Sequence, residues 1–145
     1  MSAAPCGGEL PPAESRVRVG ARSRRRLLTA RSPAAFIINP AAGSAARGAW
    51  ARGVAEMARQ CCAAAGLSRE AAFTERPGHG RELAADLAGR GFSPVVACGG
   101  DGTVNEVASA LMHGDTVLGI VPGGSGNGLA RELGISLRPE AAVAT

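Results

Sequence analysis

Lysine and tyrosine are missing from this 145-residue chain, and only four aromatic residues occur, Phe36, Trp50, Phe73 and Phe92. All 16 basic residues are therefore Arg. That excludes lysine Schiff-base chemistry and the phosphate loop ending in Gly-Lys-Ser/Thr. No apolar run approaches the roughly 20 residues that span a bilayer. Arg31, Pro33, Asn39 and Pro40 interrupt the one candidate, near the N-terminus, so neither a membrane span nor a secretory signal is expected. The cysteines, Cys6, Cys61, Cys62 and Cys98, include no Cys-x-x-Cys pair, and His79 and His113 lack metal-ligand spacing. A reduced, cytosolic chain without a His or Cys metal site is the expectation.

In place of aromatics the chain carries 30 alanines and 21 glycines. The alanines require a close-packed core of small side chains. The glycines mark tight approaches of backbone to backbone or to a ligand. The net charge of +4 is unevenly placed. Residues 1–35 hold seven Arg against Glu9 and Glu14, whereas residues 36–145 hold nine Arg against ten acids. A near-neutral folded part lacks the electrostatic footprint of a nucleic-acid binder, so no nucleic-acid partner is expected.

Residues 1–33 show no period of 2 or 3.6 and read as a disordered, Arg-rich extension. Such a stretch also has the composition of a transit peptide or of a segment drawn to anionic lipid. From residue 34 to residue 145 the pattern is that of one domain. Apolar runs at Ala35–Ile38, Ala71–Thr74, Val95–Cys98 and Val117–Val121 predict strands. Trp50, Val54, Met57, Ala58 and Cys61 mark one helix, Leu83, Ala84 and Leu87 a second, Val104, Val107, Ala108 and Leu111 a third. A short fourth helix is expected to end at Leu133. Four uniformly apolar strands, each followed by a helix, predict an α/β fold with a parallel sheet and flanking helices. Ligands bind beyond the carboxyl ends of such strands, where the Asn-Pro and Gly-rich loops fall.

In Gly99-Gly100-Asp101-Gly102-Thr103 the glycines bring amides close to an anion at a helix N-terminus. Asp101 repels phosphate and needs a cation or a substrate proton to explain it, unless it only caps the helix. Asn39, with Gly43 and Ser44, makes either a similar site or an ordinary turn. Ser125 and Asn127 supply hydroxyl and amide donors to the loop Pro122–Gly128. No Gly-x-Gly-x-x-Gly occurs, which excludes a standard dinucleotide fingerprint. Thr74 and the two histidines suit capping roles.

Taken in order, Ile38-Asn39-Pro40 with Gly43, Thr74 with Gly78-His79-Gly80, the block Gly-Gly-Asp-Gly-Thr-Val-Asn-Glu at 99–106, and Val-Pro-Gly-Gly-Ser-Gly-Asn at 121–127 resemble the catalytic domain of diacylglycerol kinases. Bacterial lipid kinases, sphingosine kinases and ceramide kinases share it. The first five residues of the block also occur in NAD kinases, while Asn105-Glu106 favours the lipid kinase branch. The resemblance implies a fold like that of phosphofructokinase and NAD kinase, and ATP-dependent phosphorylation of a lipid hydroxyl with Mg2+.

It also implies nucleotide contacts from Asn39, Pro40, Ala41, Ala42, Gly43, Thr74, Gly100, Asp101, Gly102, Thr103, Val104, Asn105, Glu106 and Ser125, with Asp101 as the general base. Gly128 and Ser125 stand where many bacterial members have Asp and Thr, so the lipid stays open. Family members continue into a β-rich lipid domain, whereas this chain ends at Thr145. The expectation is an ATP-binding half that binds nucleotide weakly and phosphorylates no lipid alone. The expected partners are a lipid at the membrane surface and, through uncovered apolar surface, a second copy in a homodimer. An NAD kinase-type activity and a non-catalytic nucleotide-binding remnant remain as alternatives.

Overall fold

The computed structural model describes residues 32–43 and 48–143. Residues 1–31 of the Arg-rich extension, and Ser44, lie outside the described residues. Strand β1, Ala34–Ile38, is buried along its whole length. It leads through the Asn-Pro turn to helix α1, Ala49–Ala64. Then follow β2 (Arg69–Phe73), α2 (His79–Gly89), β3 (Val95–Gly99), α3 (Asp101–Leu111), β4 (Leu118–Pro122), α4 (Gly128–Glu132) and α5 (Pro139–Val143). All strand pairings are parallel, in the order β2-β1-β3-β4. The chain moves outward from β1 to β2 and then crosses back to β3. The carboxyl ends of β1 and β3 thus flank the switch point at which open α/β sheets hold ligands.

Side chains alternate across the sheet and build two cores. Ala35, Ile37, Val95, Ala97 and Ile120 face α2 and α3, packing with Ala84, Leu87, Val104 and Val107. Phe36, Ile38, Val96, Cys98 and Val121 face α1. Burial of both faces is why β1 and β3 read as unbroken apolar runs. Leu87, 1% exposed, anchors α2. Leu87→Ala is expected to cost about 2–5 kcal/mol, read as a lower urea midpoint; an unchanged midpoint would mean that α2 does not seat on the sheet.

Three details differ from the sequence-based expectation. Strand β2 begins two residues earlier, at Arg69 and Glu70, so it is not uniformly apolar; it is an edge strand with a half-exposed face. In α1 the fully buried line is Ala51, Val54, Ala58 and Cys62. Trp50 and Met57 only flank it, because small side chains let the helix approach the sheet. Helix α5 was not expected. Pro139 at its first position and Glu140 in its first turn are start signals, but five residues are too few to show a period.

Candidate functional site

Four loops meet at the carboxyl edge of the sheet, and their backbones are laced together. The Gly43 amide donates to the Gly123 carbonyl at 2.8 Å, and the Gly123 amide donates to the Gly99 carbonyl at 2.8 Å. Gly123 thus joins the loops after β1 and β4 to the end of β3. A Cβ on Gly124 would lie 2.7 Å from the Gly100 Cα, and one on Gly100 would lie 3.3 Å from the Gly124 Cα, so the loops cross with no room for a side chain on Gly124 and little on Gly100. The indole of Trp50 lies against Gly43 and Gly123 and wedges the same junction from below.

Asn39 closes its own turn and ties it to α3. Its Oδ1 accepts from the Ala41 amide at 2.9 Å, and its Nδ2 donates to Thr103 Oγ1 at 3.1 Å. Thr103, 6% exposed, packs over Gly99, where a Cβ would clash with its side chain. Two clefts open on either side of this Asn39 bridge. The larger, about 760 Å³, is lined by Ala41, Ala42, Gly43, Trp50, Gly100 and Ser125 among others. The smaller, about 380 Å³, is lined by Pro40, Thr74, Arg76, Gly102, Thr103 and Glu106 among others. Asn39 and Ala41 belong to both.

Helix α3 starts between the clefts. Gly100 is its N-cap, in extended conformation, and no side chain caps it. Its first-turn amides are therefore open to an anion. Nothing lies within 4 Å of a Cβ position on Gly102. Asp101 is exposed and does not cap its own helix. Its Oδ1 accepts from the Gly128 amide at 2.7 Å, anchoring the start of α4. A Cβ on Gly126 would lie 2.7 Å from the other carboxylate oxygen, Oδ2, so glycine there leaves that oxygen its space.

The expected contact residues separate into groups. Asn39, Ala41, Ala42, Gly43, Gly100 and Ser125 surround the larger cleft. Pro40, Thr74, Gly102, Thr103 and Glu106 surround the smaller, and Asp101 stands between Gly100 and Gly102 at their junction. Val104 turns into the core, 5% exposed, and Asn105 is exposed on α3. The Asn127 amide, expected as a ligand donor, is consumed within its own loop. Its Oδ1 accepts from the Gly124 amide at 2.9 Å and its Nδ2 donates to the Gly124 carbonyl at 2.6 Å. That closed turn explains how Asn127 is only 8% exposed at φ 52°. His79 Nδ1 accepts from the Glu75 amide at 3.1 Å, a capping role.

Sequence reasoning missed the Asp101–Gly128 bond, the Gly123 junction and Arg76, for which no local pattern exists. Arg76 is the cation lining the smaller cleft, and it forms a two-pronged ion pair with Glu82 at 3.0 and 2.7 Å. Hydrogen bonding to Glu82 raises the Arg76 pKa and lowers that of Glu82. Burial pushes the Cys98 thiol well above its ordinary value, so this neighbour of the Gly-rich block stays protonated and is no nucleophile. Among the described residues no three His, Cys, Asp or Glu side chains cluster as a metal site, and no helix is long and apolar enough to cross a membrane.

Residues 33–145 match the diacylglycerol kinase catalytic domain. The chain belongs to that family. A probable lipid kinase, YegS-like, of Pseudomonas aeruginosa (strain UCBPP-PA14) is 42% identical over 82 residues, covering 55% of this chain and 27% of that protein. A diacylglycerol kinase of Bacillus subtilis is 40% identical over 73 residues, covering 49% of this chain and 24% of that protein. The matched part of the chain therefore spans about a quarter of the length of these relatives. The crystal structure of a diacylglycerol kinase from Bacillus anthracis superposes with a TM-score of 0.67 at 24% identity, covering 78% of this chain and 40% of that one. At that identity the likeness supports the fold, a parallel α/β sheet with flanking helices.

Proposed function

We propose that this domain, from about residue 34 onward, is the nucleotide-binding half of an ATP-dependent lipid kinase acting at a membrane surface. The observation that carries the reading is the uncapped start of α3, set between two clefts at the switch point of the sheet. The residues suit ATP. Backbone amides of the first turn of α3 and the open side of Gly102 can receive phosphate oxygens without a lysine. They also suit Mg2+, which would be held largely by phosphate oxygens and water and so needs no protein cage. Bound ATP and Mg2+ would supply the phosphoryl group and neutralise its charge.

The chain's own contribution is positioning. Asn39 and Thr103 hold the wall between the clefts, and the Gly100–Gly124 crossing fixes the loops that flank the phosphates. Gly128 holds Asp101 Oδ1, leaving Oδ2 to accept the proton of the acceptor hydroxyl. Leu129 and Leu133, 41% and 60% exposed, leave apolar surface beside Gly128, which suits the approach of a lipid.

Adding ATP-Mg2+ to the chain is expected to shift the amide resonances of Asn39, Thr74, Gly100–Thr103 and Ser125. These lie on four segments whose donors can converge on one triphosphate. Shifts confined to other residues would sink the nucleotide reading.

A further inference from the structure

Helix α2 begins without a cap of its own. Its N-cap is Gly78, at φ 82°, and no side chain of its own loop accepts from the backbone amides of the first turn. A helix start leaves backbone donors that need partners. His79 and Arg81 are satisfied locally, through the carbonyls of Arg76 and Gly78 at 3.2 Å each. Gly78 and Gly80 are satisfied from another helix. Glu106 of α3 accepts the Gly78 amide on Oε1 at 2.8 Å and the Gly80 amide on Oε2 at 3.0 Å. Both carboxylate oxygens are thus engaged by segments 28 and 26 residues away. Gly80 is buried, and a Cβ there would lie 2.8 Å from Glu106 Oε2. Glycine at this position admits the carboxylate.

The segment held in this way carries function in the reading above. Thr74, Glu75, Arg76 and Pro77 line the smaller cleft, and Glu106 lines it as well. A carboxylate facing a triphosphate is repelled by it, whereas the half-buried Glu106 carboxylate has both oxygens taken by backbone amides and is stabilised by these charge-assisted bonds. We propose that Glu106 is a positioning residue. It caps α2 from α3 and holds the Thr74–Pro77 turn against the cleft, and it is not itself a ligand of the nucleotide. The positioning part rests on the nucleotide reading; the capping part stands on the geometry alone.

Three variants of the chain, Glu106→Gln, Glu106→Ala and Gly80→Ala, test it by amide NMR with hydrogen exchange and by calorimetric titration with ATP-Mg2+. In the wild type the Gly78 and Gly80 amides are expected to be downfield and slow to exchange. Glu106→Ala should remove both signatures and weaken ATP-Mg2+ binding on the order of tenfold. Glu106→Gln keeps the shape and one good acceptor, so one amide should stay protected and most affinity remain.

Gly80→Ala is the discriminating variant. Alanine is the better helix former, so a purely local effect would strengthen α2. Displacement of the Glu106 carboxylate should instead expose the Gly78 amide and lower affinity, with Glu106 still present. Unchanged Gly78 and Gly80 amides in Glu106→Ala would overturn the cap. Equal loss of affinity in the Gln and Ala variants, with the amides of the Gln variant intact, would make Glu106 a direct ligand and overturn the positioning role. Failure of the wild type to bind ATP-Mg2+ would remove that role together with the nucleotide reading, while the amide signatures would still decide the cap.

Discussion

In a kinase of the relatives' full length that carries this domain, Asp101→Asn is expected to lower kcat by about 10²- to 10⁴-fold, the usual worth of a general base. Stability should change by no more than about 1 kcal/mol, the scale of a charge at a helix start. The substitution is informative because it separates the proposed role as base from the observed anchoring of Gly128. An asparagine oxygen can still accept from the Gly128 amide, as Oδ1 now does at 2.7 Å, so α4 stays anchored. What it loses is the charge and the basic oxygen. Asp101→Ala removes both tasks and should also loosen Gly128, read as faster amide exchange there. If Asp101→Asn retained near-wild-type turnover while Asp101→Ala did not, the carboxylate would be reduced to an anchor for α4.

The second large effect concerns backbone contact. Gly124→Ala places a Cβ 2.7 Å from the Gly100 Cα, and neither partner is a flexible side chain that can swing aside. The loops after β3 and β4 must separate, stretching the Gly123–Gly99 bond of 2.8 Å. Overpacking of this kind costs about 1–3 kcal/mol, and the displaced loops should lose ATP-Mg2+ binding as well. Gly102→Ala is the contrast, since nothing lies within 4 Å of its Cβ position. Its fold should be intact or slightly more stable, by up to about 1 kcal/mol. The added methyl group should still weaken ATP-Mg2+ binding at the start of α3. Urea midpoints and calorimetric titrations of the two variants separate these effects. A Gly124→Ala protein as stable as the wild type would show that the crossing is looser than 2.7 Å implies.

Much of this molecule is local and therefore readable along the chain. Strands β1 and β3 are unbroken apolar runs because both faces are covered, and α2 and α3 show their stripes because each buries one face. Breaks in period at Asn39-Pro40, Gly99-Gly100 and Pro122-Gly123 place the loops at strand ends. Once a sheet is parallel, those ends share one edge, so the neighbourhood of Asn39, Gly100–Thr103 and Ser125 followed from spacing alone. Edges were harder. Arg69 and Glu70 obscured the start of β2, because an edge strand needs apolar side chains on one face only.

The tertiary structure decided the partners. Asp101 could cap its own helix or face a ligand, and its bond to Gly128, 27 residues onward, depends on how close the loops after β3 and β4 come. Glu106 sits in the same eight-residue block as Asp101, yet it points down α3 to the start of α2. The reason is helical geometry: at about 100° per residue, five positions turn a side chain to a different part of the surface. Asn127 reads as a free donor in a Gly-rich loop and is instead closed on Gly124. The strand order β2-β1-β3-β4, which places the switch point between Asn39 and Gly100, is equally invisible in any local window. Periodicity records which face of an element is buried; it carries no information about which element buries it, because that choice is made by packing between segments tens of residues apart.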